Sequence, residues 1–188
     1  MPVPPVALIT AGSAGLGAAT ARLFAENGIR AVVNYSNNVE RAEKLVEELR
    51  SLSSLNRDPS RQDFLAIRAD LAKRDEINQL VDEVIKVMGR LDIVFSNGGW
   101  TRLRDLNNLD DNVDEDDWDR CFNMNVKSHL WLMHAAQPHL AVTEGAFITT
   151  ASLAGVKVSG SSLVSTSLAV NIDIAPVILT LILGILGN

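Results

Sequence analysis

The stretch TAGSAGLG, Thr10–Gly17, constrains this chain more than any other part of it. It follows a short apolar run, Val6–Thr10 (VALIT), and precedes Leu16–Asn27, a segment rich in small residues that Gly28 closes as a C-terminal stop. An apolar run ending in glycines reads as a strand buried on both faces, as a parallel sheet requires. Glycine lets the backbone turn tightly there and approach a pyrophosphate, whose charge the following helix N-terminus favours. A strand, a glycine turn and a helix in that order predict an α/β fold with a phosphate-binding turn.

The same alternation continues along the chain. Ala31–Tyr35 (AVVNY) is a second strand, and Val39–Leu52 a helix with Val39, Ala42, Leu45, Val46 and Leu49 on one face. Ser53–Gln62 is polar and carries Pro59, so it reads as a loop. Phe64–Arg68 is a third strand, and Arg74–Met88 a helix with Ile77, Leu80, Val81, Val84 and Met88 at helical spacing, stopped by Gly89. Leu91–Ser96 is a fourth strand, Asp117–Pro138 a long helix, and Ala146–Thr150 a fifth strand. Strands separated by helices require right-handed crossovers, hence a doubly wound parallel sheet with helices on both faces. No repeat or linker interrupts the 188 residues, and an apolar content of 47% suffices for one core, so a single domain is expected.

Charge removes other classes. Seventeen basic against 23 acidic side chains give a net charge of -6 and no basic stripe, which excludes a nucleic-acid binder. The single cysteine, Cys121, forms no internal disulfide, suits a reducing compartment and reads as a small core hydrophobe. The opening MPVPPVALIT has no basic leader region, so the expected location is cytoplasmic. No metal site is expected: His129, His134 and His139 are spread around a helix instead of aligned at i, i+4. The acidic run Asp110–Asp117 (DDNVDEDD) reads as a solvated loop entering a helix. Trp118 and Trp131 read as packing residues, and Trp100 as the wall of a substrate pocket.

Further markers sit at strand ends, where ligands bind in open α/β sheets. Asp70-Leu71 follows the third strand, Ser96-Asn97-Gly98-Gly99 closes the fourth, and Ser152 follows the fifth. Asn125 lies inside the long helix, in MNVKS. On these residues, from Val6 to Leu163, the chain resembles the short-chain dehydrogenase/reductase family, in a 3-oxoacyl-reductase-like, C-terminally truncated form with a Rossmann-type sheet. The family's T-G-x-x-x-G-x-G turn is here Thr10, Ala11, Gly15 and Gly17; Ala11 replaces the first glycine, and Gly12 beside it is expected to relieve the turn. The family's Asn-Asn-Ala-Gly is here Ser96-Asn97-Gly98-Gly99.

The resemblance implies cofactor contacts from Thr10, Gly12, Ser13, Gly15, Leu16, Gly17, Asp70, Leu71, Asn97 and Gly98. It implies hydride transfer between a nicotinamide and a small-molecule ketone or alcohol, with Ser152 polarising the carbonyl and Asn125 holding a relay water. It also leaves self-association through the Asn125 helix open. An acid at the end of the second strand would repel a 2′-phosphate, but Val33-Asn34-Tyr35-Ser36-Asn37-Asn38 holds none. NADP is therefore expected, with NAD as the alternative and Arg41 as the nearest cation.

The family's acid–base pair, Tyr-x-x-x-Lys, is missing. Its spacing from Ser152 lands on Ser165 and Ala169, and a one-residue shift only moves the lysine position to Leu168. The only tyrosine is Tyr35, and Lys157 lies on the wrong side of the motif. A serine hydroxyl ionises far less readily than a phenol, and losing a positioned general acid costs about 10²–10⁴-fold in rate. Turnover is expected to be weak or lost; the alternatives are a non-catalytic dinucleotide- or partner-binding module and an inactive truncated product. Where the family continues with the lysine helix, two strands and a substrate-covering loop, residues 165–188 read as an aberrant apolar tail ending NIDIAPVILTLILGILGN. Its apolar run, Ala175–Leu186, is shorter than the ~20 residues a membrane helix needs.

Overall fold

The computed structural model describes residues 3–56, 58–152 and 162–164. Five strands form one parallel sheet: β1 (Val6–Ile9), β2 (Arg30–Tyr35), β3 (Phe64–Arg68), β4 (Ile93–Ser96) and β5 (Ala146–Thr149), in the order β3-β2-β1-β4-β5. The order reverses beside β1, which places a crevice between the carboxyl ends of β1 and β4. The connecting helices are α1 (Gly15–Glu26), α2 (Val39–Leu52), α3 (Arg74–Met88), α4 (Glu115–Phe122) and α5 (Ser128–Thr143).

Period-two alternation splits the strand side chains between two cores. Val6, Leu8, Val32 and Val94 pack with α3 and α5 through Ile77, Leu80, Val84, Leu132 and Leu140. Ile9, Ala31, Val33 and Phe95 pack with α1 and α2 through Ala18, Ala21, Leu45 and Leu49. The alanines of α1 let that helix lie close to the sheet, which brings its N-terminus to the glycine turn. Helices therefore cover both faces, the doubly wound arrangement that the alternation implies.

The long helix differs from its expected form. It begins earlier, is interrupted by a π-turn at Asn123–Lys127, and runs through Pro138 to Thr143. Pro138 forfeits one hydrogen bond, but buried Leu140 anchors the next turn in the core. Thr143 Oγ1 also donates to Leu91 O at 2.7 Å, and Glu144 in the left-handed region (φ 52°) ends the helix.

Ala11 is a second correction. Gly12 does not take over the left-handed conformation; Ala11 adopts it itself, at φ 47°. Gly12 has another job, because a Cβ there would lie 2.8 Å from Ile9 O. An L-residue held left-handed costs about 1–2 kcal/mol. Ala11→Gly is therefore expected to raise stability by about 1 kcal/mol, or ~2–4 °C in Tm, in a thermal melt. An unchanged or lowered midpoint would show that Ala11 carries no strain.

Candidate functional site

The turn between β1 and α1 is built by close backbone approach. A Cβ on Gly17 would sit 2.8 Å from Gly12 Cα and 2.9 Å from Ala11 O, so only glycine lets α1 start here. Gly15 and Leu16 open the helix and are exposed, as is Ala14, while Ser13 is buried. Asn34, buried near the end of β2, fixes the turn from below. Its Oδ1 accepts from Ala11 N at 3.1 Å, its backbone O from Gly12 N at 2.9 Å, and its Nδ2 donates to Ala69 O at 3.1 Å. One side chain thus joins the turn to the end of β3. Reading Asn34 merely as an absent acid missed this role; a polar residue directly after the apolar run Ala31–Val33 was the available signal.

Thr10 ties the turn to β4. Its buried Oγ1 accepts from Asn97 N at 2.9 Å and Gly98 N at 3.2 Å, and Thr150 Oγ1 donates to Asn97 Oδ1 at 3.1 Å. Gly98 faces Leu71 so closely that a Cβ would lie 2.2 Å from Leu71 Cδ1. Asp70 turns its carboxylate onto Ala72 N at 3.0 Å. Asp70, Leu71 and Gly98 line a cavity of about 990 Å³ that runs from Asn34 and Ser36 to Trp100 and α4. The remaining expected contacts, Thr10, Gly12, Ser13, Gly15, Leu16, Gly17 and Asn97, stand around the crevice but not on this cavity's wall.

Asn125 lies in the π-turn, a distortion that often marks functional helices. Its Oδ1 accepts from Trp100 N at 2.7 Å, and its Nδ2 donates to Trp100 O at 2.8 Å, so the amide grips one residue at both ends. Ser152 is exposed beyond β5, two residues after Thr150, and does not line the cavity. The structure therefore brings the glycine turn, Asn97, Gly98 and Asn125 together around β1 and β4, with Asp70 and Leu71 beyond β3, where Leu71 reaches Gly98, and Ser152 at the end of β5. Residues 165 and 169 and the tail to 188 lie outside the described residues.

Trp100 lines the cavity, with Arg120 4.7 Å and Arg102 5.7 Å from its ring centroid. Trp131 packs on the core, whereas Trp118 is partly exposed on the cavity wall and donates from Nε1 to Asn112 O at 2.8 Å. The acidic run is a further correction: it is not simply solvated. Asp111, Asp114 and Asp117 converge on Arg104 at 3.1, 2.9 and 2.8 Å, and Asp117 is buried. Hydrogen bonding to Asp117 raises the Arg104 pKa above its ordinary value. The partner lies too far back in the chain for local spacing to show it. No metal-holding group of His, Cys, Asp and Glu occurs among the described residues.

Two buried titratable groups flank this site. Cys121 is fully buried beside Asn125, and burial pushes its thiol pKa up, consistent with a core role. His129, buried, places Nδ1 2.6 Å from Ser96 Oγ, and burial lowers its pKa to about 4. Among the described residues no helix is long and apolar enough to cross a membrane.

The short chain dehydrogenase family model matches residues 5–167. A short-chain dehydrogenase/reductase of Pestalotiopsis microspora is 39% identical over 135 residues, covering 72% of this chain and 46% of its own length. Versicolorin reductase of Emericella nidulans is 34% identical over 152 residues, 81% of this chain and 53% of that protein. The chain thus spans about half the length of the curated relatives it matches. Among solved structures, a short chain dehydrogenase from Burkholderia cenocepacia in complex with NADP has a TM-score of 0.74 at 29% identity, over 89% of this chain and 65% of that one. An NADH-dependent reductase complexed with NAD has a TM-score of 0.76 at 27% identity, over 87% of this chain and 66% of its own. The motif-by-motif geometry and these similarities agree: the chain belongs to the short-chain dehydrogenase family.

Proposed function

We propose that this chain binds NADP(H), with NAD(H) as the alternative, in the crevice between β1 and β4. Its lineage is reduction or oxidation of a small-molecule carbonyl or alcohol, and its own turnover is weak or lost. The observation that carries the reading is the cradle at Gly17, where any Cβ would meet backbone at 2.8 Å. That close fit packs the turn against the start of α1, where Gly15 is exposed with open space around it and a dinucleotide pyrophosphate would be held. Thr10, Gly12, Ser13, Gly15, Leu16 and Gly17 would hold the phosphates, Asp70 and Leu71 the adenine, and Asn97 and Gly98 the middle of the molecule. When bound, the nicotinamide supplies or takes a hydride. Ser152 would polarise the substrate oxygen, and Asn125 would hold a relay water near it.

The phosphate preference rests on Arg41. Its guanidinium donates to Ser13 Oγ at 3.3 Å, so a cation reaches back from α2 to the turn, and no acid stands at the end of β2. The NADP-bound and NAD-bound relatives support either dinucleotide. Calorimetric titration of the 188-residue chain is expected to show saturable NADPH binding, tighter than NADH. Arg41→Ala should weaken NADPH by about tenfold and leave NADH within about twofold. No saturable binding of either would refute the proposal; equal losses for both would refute the role of Arg41.

Loss of turnover rests on Ser165 and Ala169 standing at the acid–base positions. A non-catalytic dinucleotide-binding module is the same cleft without chemistry, and ketone reduction by the pure chain separates the two. The free, buried Cys121 supports a reducing compartment such as the cytoplasm. Exposed Phe122 and Leu130 along α4 and α5 support self-association.

A further inference from the structure

The five residues from Ser96 to Trp100 carry the proposed cofactor contacts at the end of β4, and besides Thr150, which reaches Asn97 from the end of β5 at 3.1 Å, three groups hold them. Thr10 Oγ1 holds the amides of Asn97 and Gly98 at 2.9 and 3.2 Å, from the β1 side. Asn125 holds both backbone groups of Trp100 at 2.7 and 2.8 Å, from the π-turn. The third hold is Ser96 Oγ to His129 Nδ1 at 2.6 Å, from the second residue of α5. Both partners of that third contact are buried, Ser96 at 2% and His129 at 8% exposure. Removing either strands a polar group away from water, and a buried group without a partner is destabilising.

His129 lies one helical turn beyond Asn125, so the two side chains tie the same helix to opposite ends of the same loop. The family resemblance puts asparagine at position 96. This chain has the shorter serine, and an imidazole from α5 meets it. Burial keeps that imidazole neutral, so one ring nitrogen remains able to accept from the hydroxyl.

We infer that Ser96 and His129 are a positioning pair that fixes the β4-end loop, and so the Asn97–Gly98 cofactor contacts, against the helix presenting Asn125. The pair acts through its neighbours and touches no reacting atom. This inference rests on the cofactor reading for its functional consequence, but not for its structural one.

The test uses the 188-residue chain with Ser96→Ala, His129→Leu, His129→Asn, and Val84→Ala as a core control on α3. Hydrogen exchange at the Asn97 and Gly98 amides should accelerate at least about tenfold in Ser96→Ala and His129→Leu. It should stay near the parent rate in Val84→Ala, even where that variant melts earlier. NADPH affinity should fall by about tenfold in the first two variants and hold in the control. His129→Asn, whose amide can stand where Nδ1 does, should recover most of both effects. Unchanged exchange in Ser96→Ala and His129→Leu would overturn the inference, as would equal acceleration in the control. If the parent binds no dinucleotide, the cofactor reading fails while the exchange measurement still decides the pair.

Discussion

Ser165→Tyr combined with Ala169→Lys is expected to raise NADPH-dependent ketone reduction by about 10²–10⁴-fold over the parent chain, read as loss of NADPH absorbance. The two residues act as a unit, so each single variant should recover much less than the pair. Both positions lie outside the described residues, but the chain immediately before them is seated. Leu163 N donates to Asn112 Oδ1 at 2.9 Å, and Ser162 and Val164 are buried at 2% and 3% exposure. Asn112 is itself held, through Nδ2 to Asp105 O at 2.7 Å and Asn108 O at 2.9 Å. Intact NADPH binding with no gain in turnover would show that the missing acid–base pair is not the decisive lesion.

Gly17→Ala is expected to weaken NADPH binding by at least about 10²-fold and to lower Tm, because its Cβ would meet backbone at 2.8 and 2.9 Å. Neither Gly12 Cα nor Ala11 O can move without displacing the turn itself. Gly98→Ala offers the contrast. Its Cβ would come nearer still, 2.2 Å, but to the end of the Leu71 side chain, which can rotate. A smaller loss, of about tenfold, is expected there. Titration of the two variants beside the parent measures the difference. If Gly17→Ala bound NADPH as well as the parent, the cradle would not be the pyrophosphate site.

Much of the candidate site could be proposed from sequence because its parts are local. The glycine turn, the Asp70-Leu71 step and the Asn97–Gly98 strand end each announce themselves within a few residues. Helix periodicity placed α2 and α3 at their observed bounds, Val39–Leu52 and Arg74–Met88. Less legible were groups whose roles depend on distant partners. Asn34 spans from the glycine turn to the end of β3, Arg104 gathers three aspartates, and His129 meets Ser96 across two elements. Pro138 misled in the same way, since its local preference to end a helix was outweighed by Leu140 reaching the core.

By itself, the order of residues determined the parallel α/β sheet, the glycine turn between β1 and α1, and the serine and alanine at positions 165 and 169, because strand, turn and helix preferences and motif spacing act over short distances. Only tertiary structure decided that Ala11 bears the left-handed turn, that Asn125 grips Trp100, and that His129 meets Ser96. Those outcomes come from burial, which brings remote polar groups together and requires each to find a partner.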